Sequence, residues 1–358
     1  MKLRAPYPWF GGKAKVASLV WDRFGDVMNY VEPCFGSGAV LLSRPHFPFK
    51  GSRIETINDL DGMVSNFWRA VAAEPDAVAH HADWPVSEPD LHARHLWLVN
   101  EGRQHVERLK TEADYYDVKI AGWWVWGCCQ WIGSGWCMGK SSWGKPFADG
   151  ALAHPRIPHL GDAGMGIHRP SQQLPHLGNA GRGIHRPSQQ LPHLGDAGRG
   201  IHRPSQQLPH LGDAGREELY GYFQLLGDRL RRVRVCCGDW SRVCGPTPTA
   251  KQGLTGVFLD PPYAATERDE NIYATESEIG ADVRAWCLEN GGNPMLRIAL
   301  CGYAGEGHEE LEQHGWKCVP WKAKGGYASQ GNGDNANARR ERIWFSPHCL
   351  ADTDFLFQ

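Results

Sequence analysis

The chain has 358 residues, 41% of them hydrophobic and 11% aromatic, enough for one large core and a smaller one. Charged residues make up 22% and the formal net charge is −2, which excludes a wholly disordered chain and a protein that coats nucleic acid through overall basicity. No apolar run approaches the roughly 18 residues of a membrane span. Met1 to Pro6 carry no signal-type apolar stretch. With neither a span nor a signal stretch, a cytoplasmic location is expected; the 11 cysteines include no CxxC pair, which argues against structural zinc and a disulfide framework.

Taken in chain order, Tyr7-Pro8-Trp9-Phe10-Gly11-Gly12-Lys13 leads into a helix expected over Lys13 to Phe24. Aromatics beside two glycines and a lysine can cover a ligand, or simply pack the helix entry. A strand at Tyr30-Val31 runs into Glu32-Pro33-Cys34-Phe35-Gly36-Ser37-Gly38-Ala39-Val40, a glycine-rich turn that opens a helix. Glycines there let the backbone approach a ligand closely. A dinucleotide fingerprint needs glycine or alanine three residues after Gly38, where Leu41 stands, and no Gly-Lys-Ser/Thr follows to make a P-loop. Glu55 to Ile57 form the next expected strand, ending in Asn58-Asp59-Leu60-Asp61. An acid at Asp59 is placed to accept hydrogen bonds from ribose hydroxyls; a helix cap at Asp59 or Asp61 is the structural alternative. A helix is expected over Gly62 to Ala73.

Residues 76–156 are rich in Trp and His and lose the strand–helix alternation; they read as a second module inserted into an α/β domain. Residues 157–216 are a tandem repeat of period 17, beginning Ile157 to Gln173 as IPHLGDAGMGIHRPSQQ. The repeat has no Phe, Trp or Tyr, and 18 of its 60 residues are Gly or Pro. Such a composition buries too little apolar surface to offset chain entropy, so a flexible insertion is expected. Its 7 histidines lie among Gly/Pro spacers that do not preorganise a metal site, and no metal is expected. The alternation then resumes, with helices expected over Glu217 to Arg231, Ser277 to Asn290 and Glu306 to His314. Strands are expected over Arg232 to Cys236, Gly256 to Leu259, Leu296 to Leu300 and Arg342 to Phe345. Strands alternating with helices predict a mainly parallel α/β sheet, with ligands beyond the carboxyl ends of its strands.

Asp260-Pro261-Pro262-Tyr263 directly follows the apolar strand Val257-Phe258-Leu259. This puts a carboxylate and a rigid turn without N–H donors at the ligand edge; read alone, it is also an ordinary proline turn. Together and in this order, the GGK start, the Glu-Pro-x-Phe-Gly-x-Gly turn, the Asn-Asp acid, Gly238-Asp239 and the late Asp-Pro-Pro-Tyr resemble the Dam-like class of N6-adenine-specific DNA methyltransferases. Residues 339–346 are similar to the closing strand of phage members. The resemblance covers residues 5–75 and 230–346.

The resemblance implies a Rossmann-like S-adenosylmethionine-dependent methyltransferase sheet built from 1–75 and 217–358, with target recognition in 76–156. It implies S-adenosyl-L-methionine as cofactor, held by Trp9, Gly12, Lys13, Glu32, Phe35, Gly36, Gly38, Asp59 and Asp239. It implies double-stranded DNA as partner, from which an adenine is flipped and methylated at N6 by Asp260, Pro261, Pro262 and Tyr263, the protein acting as a monomer or weak dimer. Cys34, where many members have Phe, is a mild departure. Lys322, Lys324, Arg339, Arg340 and Arg342 are either phosphate ligands or a solvated basic edge; Arg229, Arg231, Arg232 and Arg234 are either phosphate ligands or charges at a helix C-terminus. The alternatives are methylation of cytosine N4 or another amino group, against which Asp260 argues, and a non-catalytic DNA-binding protein with the same fold.

Overall fold

A computed structural model of the chain describes residues 3–9, 12–131, 136–137, 215–262, 273–321 and 340–351. Residues 157–214 of the repeat, Tyr263, Lys322, Lys324 and Arg339 lie outside the described residues. The described residues of Met1–Ala5, Trp9–Ser65 and Arg229–Gln358 form one compact unit. Its strands are β1 (Asn29–Glu32), β2 (Ile54–Asp59), β3 (Val233–Cys237), β4 (Thr255–Leu259), β5 (Leu296–Tyr303), β6 (Lys317–Pro320) and β7 (Glu341–Phe345). They form a sheet in the order β3-β2-β1-β4-β5-β7-β6. The first five are parallel; β7 runs antiparallel to β5, and β6 antiparallel to β7. The expected α/β class is thus found, in a mixed sheet compatible with a Rossmann-like fold.

Burial follows the order. The central strands β1 and β4 are buried at every position, while the edge strands β3 and β6 are mostly half-exposed. Parallel strands covered on both faces read as continuous apolar runs, which is why Val257-Phe258-Leu259 and Ile298-Ala299-Leu300 stand out in the sequence. On one face Val31, Val257, Leu259, Ile298 and Leu300 pack with Val283 and Cys287. These last two belong to a helix over Tyr273–Asn290. On the other, α1 (Ala17–Phe24) buries Ala17, Val20, Trp21 and Phe24, one helical stripe. Trp21 lies 4.8 Å from the Tyr30 ring, and a side chain at Gly256 would meet Phe24.

Two expectations are corrected here. The helix expected from Lys13 starts at Ala17, after a single tight turn over Lys13–Lys15 that the Val16 N–H closes on the Lys13 carbonyl and in which the Lys13 side chain is 5% exposed. Strand β6 was not expected at all: Lys317 and Pro320 at its ends are exposed, and no apolar run marks it.

The second unit comprises Pro6–Pro8 and the described residues of Asn66–Asp228. The helix α2 (Ala39–Leu42) precedes it in the first unit, and α3 (Gly62–Ala73) enters it. It continues through α4 (Pro75–Ala82), α5 (Glu88–Trp97), the short α6 (Arg103–Val106), α7 (Val118–Gln130) and α8 (Gly215–Leu230), which ends in the first unit; the Tyr273–Asn290 helix is α9. Asp117 caps α7 by accepting from the Ile120 N–H at 2.8 Å. Tyr7, Phe67 and Trp124 form its aromatic centre, with ring centroids 4.8–5.8 Å apart. Arg94 is buried over Trp84, Trp123 and Trp126, its guanidinium 4.4 Å from the Trp126 ring. A side chain at Gly122 would strike the Val78 carbonyl, which is how α4 and α7 approach so closely. Among the described residues, no helix is long and apolar enough to cross a membrane.

Candidate active site at the carboxyl edge of the sheet

The chain leaves β1 outward to β2 and β3, then returns to β4 on the other side of β1. The sheet therefore has its switch point between β1 and β4, where α/β sheets open a crevice at the carboxyl ends of the strands. The motif residues end up along this edge. Asp239 follows β3, Asp59 ends β2, Glu32 ends β1 with Phe35, Gly36 and Gly38 just beyond, and Asp260 with Pro261 follows β4.

The turn after β1 is built by glycine conformation and side-chain bracing. Gly36 and Gly38 have φ of 48° and 69°, the left-handed region that glycine enters without cost. The Gly36 N–H donates to Asp59 Oδ2 at 2.9 Å, and the Asp61 N–H donates to Asp59 Oδ1 at 2.9 Å. Asp61 in turn accepts from the Met63 N–H at 2.8 Å and caps α3. The two acids thus divide the roles: Asp61 caps the helix, and Asp59 ties the end of β2 to the glycine turn. Asn58 joins three loops, since its amide donates to the Pro33 and Gly238 carbonyls at 2.9 and 2.8 Å. The Trp9 indole lies against Gly36, where a side chain would collide with it. Gly12 is exposed at the entry to the Lys13 turn. Asp239 is exposed and accepts from the Ser241 N–H at 2.9 Å.

Lys13 and Asp260 meet directly. Lys13 Nζ lies 2.8 Å from Asp260 Oδ1, with side chains 5% and 19% exposed. Lys13 Nζ also sits 5.5 Å from the centre of the Trp321 ring. Burial alone would depress the Lys13 ammonium, but Asp260, Cys301 and Glu341 around it outweigh that and hold it above the ordinary lysine range. Burial pushes the Glu32 carboxyl well above the usual carboxylate range, although the Tyr30 hydroxyl donates to it at 2.7 Å. Burial likewise raises Asp59 to about 6, against the pull of the Gly36 and Asp61 N–H groups. The edge thus carries carboxyl groups at the ends of three adjacent strands, with one ammonium paired to one of them.

Pro261 is buried and Pro262 exposed. Arg340 donates through Nε and Nη2 to the Ala304 carbonyl at 3.2 and 3.0 Å and lies over the Tyr303 ring. Arg342 is half-buried and donates to the Glu341 carbonyl at 2.9 Å. Arg231, Arg232 and Arg234 are exposed. Arg229 is corrected as a phosphate candidate. It stands in the last turn of α8, but its guanidinium is buried and bidentate on Glu55 at 2.7 and 2.8 Å, and Glu55 also binds Arg44 at 3.0 Å. Sequence reasoning missed the bracing by Asn58, the position of Trp321 and the Lys13–Asp260 contact. Only Asn58 left a signal, as the neighbour of the acid. No protein-family model matches the sequence, and no curated protein matches it.

Proposed function

We propose that the chain is an S-adenosyl-L-methionine-dependent DNA adenine-N6 methyltransferase. The observation that carries this reading is the alignment of Asp59, the Glu32–Gly38 turn and Asp260 along the carboxyl edge of adjacent strands β2, β1 and β4. The residues present fit the cofactor. The left-handed Gly36 and Gly38 leave backbone without side chains beside β1, and Asp59 brings a carboxylate to that turn, where it accepts from the backbone N–H groups of Gly36, Asp61 and Leu60. On this reading Glu32, Phe35, Gly36 and Gly38 line the cofactor, Asp59 accepts from its sugar hydroxyls, Asp239 contacts its adenine, and Trp9, Gly12 and Lys13 close the N-terminal side. The cofactor supplies an electrophilic methyl group.

The chain's own task is to make an exocyclic amine nucleophilic. That amine is weak because its lone pair is delocalised into the ring. The Asp260 carboxylate and the Pro261 carbonyl each accept a hydrogen bond from the amino group. Two acceptors favour a pyramidal nitrogen with a directed lone pair, and they stabilise positive charge that develops on it. Tyr263 stacks on the base, which must leave the duplex to reach this edge.

The buried Lys13–Asp260 contact is what a purely structural ion pair also looks like, and it favours a second reading, a non-catalytic DNA-binding protein. One substitution separates the two. Asp260→Ala is expected to leave S-adenosylmethionine binding within a few fold and to abolish transfer of labelled methyl groups to adenine-containing DNA. Wild-type protein that binds DNA and transfers nothing would establish the second reading.

A further inference from the structure

The second unit holds two cations that its own carboxylates do not pair. Arg94 of α5 is 6% exposed, and its guanidinium carbon lies 4.8 Å from the centre of the Trp84 ring and 5.1 Å from that of Trp123. Its Nη1 is buried without a hydrogen-bond acceptor. Lys119 of α7 is half-buried, with Nζ 4.6 Å from the centre of the Trp97 ring and 4.4 Å from that of Trp123. Among the described residues neither cation forms a salt bridge. Asp90, one turn before Arg94 in α5, acts on it only through its field, and Asp117, two residues before Lys119, caps α7.

Helical spacing builds the arrangement. Lys119 and Trp123 stand at i and i+4 on α7, and Arg94 and Trp97 at i and i+3 on α5, so each pair shares one face of its helix. Where the two faces meet, rings and cations alternate as Trp84, Arg94, Trp123, Lys119, Trp97. Trp84, at one end of this ladder, is 44% exposed. Indole faces attract cations but carry no net charge, so two positive charges on one ring stay uncompensated within the unit. An anion from outside the chain supplies the missing charge, and the oxygens of a phosphate suit both an ammonium and a guanidinium. The rings add a preference among anions, because bases on either side of a phosphodiester can stack on indole faces.

We propose that this ladder is a DNA phosphodiester-binding site, in which the Lys119 ammonium contacts the backbone and Arg94, sharing the Trp123 ring, adds positive charge that water screens little. The identity of the ligand rests on the DNA methyltransferase reading; the site itself lies apart from the catalytic edge in sequence and in unit.

Lys119→Met, Lys119→Arg and the double variant Lys119→Met with Arg94→Met test it in the full chain. Duplex DNA is titrated by fluorescence anisotropy at several salt concentrations, with thermal melting as a check on folding. Lys119→Met should weaken binding several-fold at low salt. Its plot of log affinity against log salt should be shallower by about 0.9, the share of one phosphate. Lys119→Arg should keep the original slope, and the double variant should bind more weakly than Lys119→Met at low salt. Poly-L-glutamate at equal charge should displace the DNA poorly. A slope that Lys119→Met leaves unchanged overturns the proposal, whether affinity is kept or falls by one factor at every salt concentration. Absence of DNA binding by the unsubstituted protein overturns it too, and equal displacement by poly-L-glutamate assigns the ladder to acidic peptides instead. If the unsubstituted protein binds DNA and transfers no methyl group, the methyltransferase reading falls while the salt slopes still decide the role of Lys119. If it transfers methyl groups and Lys119→Met leaves the slope unchanged, the ladder falls and the reading of the catalytic edge stands.

Discussion

Gly36→Ala tests how the glycine turn is held. At φ 48° an alanine costs on the order of 1–2 kcal/mol through contact of its Cβ with the backbone. A Cβ there would also fall 2.7 Å from Trp9 Cδ1 and closer still to Nε1. An indole cannot yield that distance by rotating a flexible tip, so it must move as a ring. Overpacking of this kind costs roughly 1–3 kcal/mol more. Gly51 supplies the comparison: it also has a left-handed φ, of 91°, but a Cβ there meets nothing within 4 Å. Gly36→Ala should therefore lower the unfolding free energy by about 1–3 kcal/mol more than Gly51→Ala. In a Trp9→Ala background that excess should vanish. Urea unfolding of the four single and double variants measures it. Equal losses for Gly36→Ala and Gly51→Ala, or an excess that survives removal of the indole, would refute the account of Trp9 as the wall of the turn.

Asp59 titrates near 6 in the folded chain and near about 3.9 when unfolded. The native state then binds this proton more tightly, so the associated stability is present below about pH 4 and is lost as pH rises through about 6. A series of urea melts should show that component in the unsubstituted protein and not in Asp59→Asn; a difference between the two that does not change with pH would contradict it. On the methyltransferase reading, the ionised Asp59 is the stronger acceptor for sugar hydroxyls, so S-adenosylmethionine affinity by calorimetry should rise over the same window, and Asp59→Ala should weaken it by about 1–3 kcal/mol. Glu55→Gln would leave the Arg44 and Arg229 guanidiniums buried without their shared carboxylate, at a cost of roughly 3–5 kcal/mol in the same melts. A loss below about 1 kcal/mol would mean that the pairs relax into water.

The sequence makes the parallel part of the sheet legible because its strands are buried on both faces and each ends in a residue that breaks the apolar run. Val257-Phe258-Leu259 stops at Asp260, and Thr56-Ile57 at Asn58-Asp59. The antiparallel end is harder to read. β7 shows as Ile343-Trp344-Phe345, but its partner β6 is an edge strand of Lys, Cys, Val and Pro with no alternation to detect. In α7 the run Val118 to Gln130 is apolar on almost every side, so it carries no 3.6-residue period, and its neighbours α4 and α5 hide their faces behind histidines and alanines. Arg94 and Lys119 would count as solvent-facing charges by composition, yet both lie over indole rings. Contacts such as Lys13–Asp260 or Arg229–Glu55 join residues far apart in the chain, and the choice between a solvated charge and a buried pair is made only by the fold.

The chemistry of the edge narrows what it can hold more than the fold does, since one sheet serves many ligands. A dinucleotide or nucleotide site cradles phosphate on free backbone N–H groups at the start of a long helix. Here the Gly36 N–H already donates to Asp59, and the helix that follows the turn, α2, is a single turn of four residues. Glu32, Asp59 and Asp260 stand at the ends of neighbouring strands, and the Lys13 ammonium is engaged by the last of them. A phosphate placed against this edge would meet carboxyl groups and an ammonium that is already engaged. A ligand bearing hydroxyl and amino donors and positive charge would meet partners. A sulfonium cofactor with a ribose, and a base presenting an exocyclic amine, have that pattern of donors and charge. This complementarity of charge, more than the glycine spacing, supports the proposed methyl transfer.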